Sequence, residues 1–572
     1  MNADLKHSLS KSQQLLLALF SLGIVALGQP AWSWWSGLIA AAMGYALFWR
    51  ILLCYENFWP RFWLAAAWFT SVQLIQLSWM ISHPYYYIYP LYLFFAFALG
   101  VQFGLIGGMI TPKNLRRFLP ILAIAALWTI FEWSRLFFFS GYTWNPAGLA
   151  LAGNLYSMQM ASLFGVFGLS FWVMFVNLLA LRAWSLSRTS WATLAWISAA
   201  LLPYLYGAIQ LQIHTDAMES QPKQYLNTVL VQTAFPTEET MGFADVKSMT
   251  AYIVEEWTEI LKIIRKQQGR PIDLMALPEY VVPGGTYSFL FPYDVVRTVF
   301  LNILGQESVD AFPDLQEPLA RQVQTAHGPK FFVNNAFWTQ AIANHFQTGV
   351  VIGLEDAEDV AEKKREYYSA AQYFVPQRID SRTNAPAQRY EKRILLPLGE
   401  YIPFDFCRAL AANYGVQGSF TPGKEAKVFA ANQIPFGLSI CYEETFGNLM
   451  RENKQSGAML LVNLSSDIWY PNSQLPWQHF AHARLRTVEN GIALVRASNA
   501  GITGGVDSFG RIIGIAAEHA LRPEWQPEAL YLRMPIYTYQ TLYAHFGDSL
   551  IIGLSFLIGL LFLCLYKIGS ID

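Results

Sequence analysis

Glu279, Lys392 and Cys441 are, in type and in order along the chain, residues able to transfer an acyl group. From Leu438 to Phe446 the chain reads Leu-Ser-Ile-Cys-Tyr-Glu-Glu-Thr-Phe, an apolar run that ends abruptly in a cysteine beside an aromatic ring and two carboxylates. A cysteine at the end of a buried strand and the start of a polar turn is placed to present a nucleophile, although a lone cysteine is more often structural. A thiol attacks only after losing its proton, normally near pH ~8.5. A carboxylate can take that proton as general base, and Glu279, after Leu277-Pro278, is a candidate. A fixed positive lysine such as Lys392 can stabilise both the thiolate and the tetrahedral oxyanion, and the backbone N–H of Tyr442 is a natural second oxyanion donor. Taken singly, Glu279 reads as a loop acid, Lys392 as a surface charge between Arg389, Glu391 and Arg393, and Glu400, after Gly399, as a turn residue. Their combination at separate strand ends is what defines a site.

The elements that must carry these residues lie between about 212 and 546. Short β-rich runs occur at Thr228–Thr233, Asp273–Pro278, Lys330–Asn334, Thr348–Leu354, Ala371–Val375, Ile434–Ile440, Met459–Asn463, Ala493–Ala497 and Leu530–Met534. Several are apolar throughout and bounded by polar residues or proline, as strands buried on both faces are. Helical patterns intervene, as at Val246–Gln268 and Pro476–Glu489, so the segment reads as an α/β sandwich. The charged run Glu358–Arg365 reads as a solvated turn or helix face. Cys407 and Cys441 fall in this segment, and their spacing does not demand a disulfide.

The rest of the chain is of another character. Of its 572 residues 54% are hydrophobic and only 14% charged, well below the roughly 25% of a soluble domain. Eight apolar stretches, at roughly 14–30, 36–54, 62–82, 88–110, 118–139, 158–181, 190–211 and 548–566, each approach the ~20 residues a bilayer core requires. This divides the chain into a bundle of seven spans (1–211), a water-exposed α/β domain (212–546) and a last span with its tail (547–572). Basic residues alternate strictly between the short loops: Lys6 and Lys11, Arg50 and Arg61, Lys113, Arg116 and Arg117, Arg182 and Arg188, and Lys567 all fall on one side. The positive-inside rule then makes both termini cytoplasmic and puts the domain on the far side of the membrane. Glu132 and Arg135, three apart in the fifth stretch, read either as a headgroup-binding pair or as a mutually neutralising pair. A net charge of −1 offers no basic field for nucleic acid.

The order Glu279, Lys392, Cys441 resembles the nitrilase superfamily. More narrowly, the chain resembles the apolipoprotein N-acyltransferases of the bacterial inner membrane. The local matches are Val231-Gln232-Thr233, Pro278-Glu279, Tyr390-Glu391-Lys392 with Leu395 to Pro403, Cys441-Tyr442-Glu443, Asn463 to Tyr470, Trp477-Gln478-His479 running to Glu489, and Arg496 to Thr503. The resemblance covers essentially the whole chain. It implies an αββα nitrilase-like domain in the periplasm, joined to a membrane bundle. It implies Glu279 as general base, Lys392 as oxyanion and thiolate stabiliser and Cys441 as nucleophile, with Glu400 supporting the triad and Tyr442 and Glu443 shaping the pocket. The implied substrates, met at the lipid bilayer, are a phospholipid acyl donor, typically phosphatidylethanolamine, and a diacylglyceryl apolipoprotein acceptor, with no cofactor or metal. Departures are Ser466-Asp467-Ile468-Trp469-Tyr470, Met241 to Phe243 where the family often carries a tryptophan, and a longer region from Ser288 to Gly328. The apolar stretch Tyr287 to Tyr293 reads as a lid or membrane-dipping arm, or else as packed on the domain.

Three alternatives stand against this reading. A tethered amidase or nitrilase acting on a small amide shares the triad, but a soluble substrate needs no eight-span bundle. A transporter with an appended domain is disfavoured by the scarcity of buried charge. A dead scaffold is disfavoured by the intact Glu279, Lys392 and Cys441.

Overall fold

In the computed structural model, which describes residues 9–567 apart from 186–189, 237–242, 244, 327, 362–363, 378–385 and 404–418, the chain forms two compact units. One comprises Met1–Pro222, Asn472–Gly491 and Tyr539–Asp572, the other Lys223–Pro471 and Ile492–Thr538. Cys407 lies outside the described residues.

The first unit is helical. Every apolar stretch read from the sequence falls on a helix: Lys11–Ala26, Trp34–Leu52, Phe58–Gln76, Ile88–Met109, Phe118–Ser134, Ala161–Ser185, Ser190–Ser220 and Ser549–Lys567. Five described helices, Trp34–Leu52, Ile88–Met109, Phe118–Phe137, Ala161–Ser185 and Ser190–Ser220, are long and apolar enough to cross a bilayer, and Lys11–Ala26 and Ser549–Leu565 are shorter apolar helices. Helix Ile88–Met109 packs against Phe58–Gln76 through Gly100, where a Cβ would collide with Thr70 Oγ1 and the Ala66 carbonyl, so that small residues let the backbones approach. Glu132 and Arg135, close enough to interact electrostatically, make their hydrogen bonds to different partners. Glu132 Oε1 accepts from Trp128 Nε1 and from the Ala147 N–H, both at 2.8 Å, while Arg135 Nε donates to Gln102 Oε1 at 2.9 Å.

Helix Ala161–Ser185 is broken at Gly165, whose φ of +64° is cheap only for glycine. The break leaves the Val166 N–H without a partner in its own helix, and Glu489 Oε1 accepts it at 2.8 Å. A carboxylate is favourable at such a helix N-terminus. Glu489 lies on the helix Leu475–Asn490, and its Oε2 also meets Arg486 Nη1 at 3.0 Å with both side chains buried. Removing one member of a buried pair leaves the other charge uncompensated. Burial pushes the Glu489 carboxyl up to about 7, so Glu489→Gln, which keeps an acceptor for Val166, is expected to destabilise the first unit by about 1–3 kcal/mol, seen as a lowered thermal midpoint of the detergent-solubilised protein.

The second unit holds fifteen described strands: β1 (Tyr225–Gln232), β2 (Leu274–Ala276), β3 (Phe291–Pro292), β4 (Ala320–Thr325), β5 (Gly328–Val333), β6 (Gly349–Ala361), β7 (Lys364–Phe374), β8 (Gln388–Glu391), β9 (Val428–Ala431), β10 (Ile434–Ile440), β11 (Leu460–Ser466), β12 (Ala493–Asn499), β13 (Gly504–Val506), β14 (Ile512–Ile515) and β15 (Glu528–Pro535). They form two six-stranded sheets, ordered β15-β1-β2-β6-β7-β8 and β14-β13-β12-β11-β10-β9, and a small sheet β3-β5-β4. In each large sheet the three inner strands that carry the longest apolar runs are parallel: β1, β2 and β6 in one, β10, β11 and β12 in the other. The sheets face one another. Tyr373 of β7, for example, meets the rings of Phe429 and Phe436 edge-on at 5.8 and 5.2 Å. Helices Val246–Arg265, Tyr293–Leu304 and Asn335–Phe346 bury their apolar sides on the outer face of the first sheet, with Trp257 and Trp338 stacked at 5.3 Å. Helix Gly447–Gln455 packs on β10. The result is the layered sandwich expected of alternating strands and helices.

All nine strand runs read from the sequence fall on strands. Two open readings are narrowed. Glu358–Arg365 is not a helix face: residues Glu358 to Ala361 close β6 and Lys364 and Arg365 open β7, paired antiparallel, with 362–363 outside the described residues. Pairing between the two strands overrides the local charge pattern. Tyr287 to Tyr293 packs onto the domain: Phe291 is fully buried, and Tyr287, Leu290 and Tyr293 lie against the same core.

Candidate active site

Apolar β10 delivers Cys441 into a 3₁₀ turn, Cys441–Thr445. At Cys441 the backbone sits at φ +52°, a left-handed conformation that costs a non-glycine residue of order 1–3 kcal/mol and persists only where its surroundings hold it. Glu443 supplies much of that hold. Its Oε2 accepts from the Ile440 N–H at 2.7 Å and from the Tyr390 hydroxyl at 2.9 Å, and its Oε1 accepts from the N–H groups of Arg393 at 2.6 Å and Ile394 at 3.2 Å. Glu443 thus ties the cysteine turn to the segment that bears Lys392. On the other side, Asn463 Nδ2 of β11 donates to the Cys441 carbonyl at 3.3 Å. Tyr442 is buried with its ring edge-on to Phe446 at 5.0 Å, and its carbonyl accepts from Thr445 Oγ1 at 2.7 Å.

Lys392 follows β8 and is fully buried, its backbone N–H bonded to the Ser369 carbonyl of β7 at 2.8 Å. Nζ donates to Glu279 Oε1 at 2.9 Å and to Glu400 Oε1 at 2.6 Å. The other oxygen of Glu400 accepts from the Leu396 N–H at 2.8 Å, which fixes the carboxylate in its turn. Glu279 comes just beyond β2, where Leu277 N–H bonds to the Val351 carbonyl and a side chain at Gly353 would strike the Glu279 backbone. The Cys441 thiol lies near enough to the Glu279 carboxyl for the two to influence each other's protonation.

The electrostatics follow from burial. Loss of water lifts the Glu279 carboxyl above its usual range, with Lys392 opposing the rise and Glu400 adding to it. Burial opposes the Lys392 charge, but Glu279, Glu400 and Cys441 more than offset it and hold the ammonium protonated. Burial first, and the Glu279 carboxyl second, push the Cys441 thiol well up, while Lys392 pulls it down. The resting sulfur is a neutral thiol poised to pass its proton to an adjacent carboxylate. Burial raises Glu443 too, against the pull of its backbone donors.

The structure thus joins Glu279, Lys392 and Glu400 through bonded contacts and brings Cys441 within electrostatic reach of all three. It places Glu443 beneath the cysteine turn as an acceptor of backbone N–H groups, and Tyr442 beside Phe446. Tyr390 and Asn463 were quoted in the sequence only as parts of motifs, yet both hold the turn. A signal existed for Tyr390: it lies two residues before Lys392 at a strand end, so alternation puts both on one face.

The geometry and the comparisons with known proteins agree. Residues 240–554, the larger part of the chain, match the carbon-nitrogen hydrolase family. Residues 22–179 match the apolipoprotein N-acyltransferase N-terminal domain. An apolipoprotein N-acyltransferase of Chlamydia pneumoniae is 31% identical over 549 residues, covering 93% of this chain and 94% of its own length. One from Chlamydia caviae is 30% identical over 562 residues, covering 95% and 96%. Among solved structures, a mutant amidase of the nitrilase superfamily from Nesterenkonia covers 55% of this chain and 92% of its own at 16% identity, with a TM-score of 0.30. The protein is a carbon-nitrogen hydrolase domain combined with apolar helices. The chain belongs to the apolipoprotein N-acyltransferase family.

The opposing charges around the sulfur have measurable signs. Lys392→Met removes the group that lowers the thiol and should move the pH profile of Cys441 alkylation by iodoacetamide upward; Glu279→Gln removes the largest neighbour raising it and should move the profile downward. Mass spectrometry of the Cys441 peptide after timed alkylation reads both shifts.

Proposed function

We propose that the protein transfers an acyl chain from a phospholipid, phosphatidylethanolamine being the expected donor, to the α-amine of the N-terminal diacylglyceryl-cysteine of an apolipoprotein, through a thioester on Cys441. The observation that carries this reading is the buried chain Glu400–Lys392–Glu279 beside the buried Cys441 in a member of this family.

In the first half-reaction Glu279 takes the thiol proton as Cys441 Sγ attacks the ester carbonyl carbon. The oxyanion forms against the Lys392 ammonium and the Tyr442 N–H. Collapse breaks the bond to the glycerol oxygen, and Glu279 returns the proton to that oxygen, releasing a lysophospholipid. In the second half-reaction the acceptor amine attacks the thioester carbonyl and gives its proton to Glu279. Collapse expels the sulfur, which recovers the proton, and leaves an amide. Glu279 thus serves as base and acid in turn. Glu400 keeps Lys392 aimed and charged, and Glu443 keeps the turn in place. Preorganised donors of the oxyanion type contribute about 2.7–4 kcal/mol each, so Lys392→Met should lower kcat by about 10²-fold or more even where the protein folds.

Both substrates are lipid-borne, which gives the apolar helices their purpose. The domain is entered from helix Ser190–Ser220 and leaves into Ser549–Lys567. In this reading the eight apolar segments all span the bacterial inner membrane, both termini are cytoplasmic and the 212–546 domain is periplasmic.

In a strain with no other N-acyltransferase, mass spectrometry of lipoprotein N-termini should find triacylated ends with the wild-type protein and diacylated ends with Cys441→Ala. Triacylated ends persisting in the variant would overturn the assignment. Incubation with phospholipid alone should add one acyl mass at Cys441, removable by hydroxylamine.

A further inference from the structure

The cysteine turn contains a second carboxylate that the chemistry above leaves unused. Glu444 is fully buried, and its Oε1 lies 3.1 Å from Arg496 Nε of β12. Arg496, also fully buried, reaches Asp467 Oδ2 at 3.1 Å and Ser465 Oγ at 2.9 Å through Nη2. The same Nε points at Asn463 Oδ1, 3.4 Å away. Asn463 Nδ2 in turn donates to the Cys441 carbonyl at 3.3 Å and to Ser439 Oγ at 3.0 Å. The path closes on itself: from the Cys441 carbonyl through Asn463 to Arg496, and back through Glu444 to the same turn.

We propose that Glu444 and Arg496 form a positioning pair for the acyl-transfer reaction, in which Arg496 clamps the Cys441 turn through Asn463 while Glu444 and Asp467 hold its guanidinium charge on the side of the turn away from Lys392. This rests on Cys441 being the acyl carrier. Three considerations favour it over simple packing. A buried arginine between carboxylates is a poor way to gain stability, because the desolvation cost rivals the attraction. The strained residue at φ +52° needs restraint on both sides, and Glu443 supplies only the side toward Lys392. Finally, the sulfur is close enough to both charges to feel them: Asp467 raises the thiol, and Arg496 interacts with it directly. The charged groups facing Cys441 are then Glu279, Lys392 and Glu400 on one side and Arg496 and Asp467 on the other, with Glu444 acting through Arg496. Glu443 and Glu444, adjacent in sequence, thus brace the turn in opposite directions: Glu443 to the segment after β8, and Glu444 to β12.

The test uses the full-length detergent-solubilised protein. Alkylation of Cys441 by iodoacetamide is followed against pH at the Cys441 peptide, and acyl transfer is followed separately. Glu444→Gln keeps size and shape but frees the Arg496 charge to act on the sulfur. The alkylation profile should move about one pH unit lower, and kcat for acyl transfer should fall about tenfold with KM little changed. Glu444→Asp restores the charge and should restore the wild-type alkylation profile. A wild-type profile for Glu444→Gln, or equal shifts for both variants, overturns the proposal. If Glu444→Gln does not fold, Arg496→Lys decides: a lysine keeps the charge but cannot reach Asn463 and Asp467 together. Its kcat should fall about tenfold at unchanged KM, and an unchanged kcat overturns the proposal. The alkylation profile requires no acyl transfer, so failure of the thioester reading, seen with Cys441→Ala, stays distinguishable from failure of this one.

Discussion

A lysine ammonium with no exposure to solvent is tolerable only where opposite charges and hydrogen bonds replace water. Lys392 has both, in Glu279 at 2.9 Å and Glu400 at 2.6 Å. The three side chains come from three places: the end of β2, the end of β8 and the turn after Leu396. Their bonding locks those segments to one another. The charge balance of this group decides the chemistry. Burial first, and the Glu279 carboxyl second, keep the resting thiol protonated, against the pull of Lys392. Burial also lifts the Glu279 carboxyl above its usual range, with Lys392 opposing the rise.

The nucleophile is held by a different means. Cys441 occupies backbone space that a side chain disfavours, and the restraint comes from hydrogen bonds made by its neighbours rather than from packing of its own. Glu443 spends its acceptor capacity on three backbone N–H groups and one hydroxyl. Such a carboxylate is structural in its contacts. A shift of the turn by a fraction of an ångström would move the sulfur relative to Glu279.

Interruption is also used in the helical unit. Glycine breaks the helix at Gly165, and the freed N–H is satisfied by Glu489 from a helix distant in sequence. In both units an irregular backbone is paired with a buried carboxylate that accepts its unsatisfied donors. This is the general requirement that buried N–H groups find partners.

Patterns of short range were legible in the sequence. Apolar stretches near twenty residues fell on helices, and apolar runs of five to seven residues fell on strands, because burial of one face or of both writes itself into local composition. Glu279, Lys392 and Cys441 could be singled out as candidates by residue type at a strand end, and the structure joins Lys392 to Glu279 and buries all three. The short strands β3, β4, β8, β9, β13 and β14 were missed, because edge strands and hairpins owe their form to pairing rather than to pattern. Contacts across long separations were decided by tertiary structure alone. Lys392 and Glu279 are 113 residues apart, and Glu443 and Tyr390 are 53 apart. Nothing in the order Cys-Tyr-Glu-Glu says that one glutamate faces the lysine segment and the next faces Arg496. The left-handed backbone at Cys441 and the direction of a 3₁₀ turn make that assignment, and both exist only when the two sheets are in place.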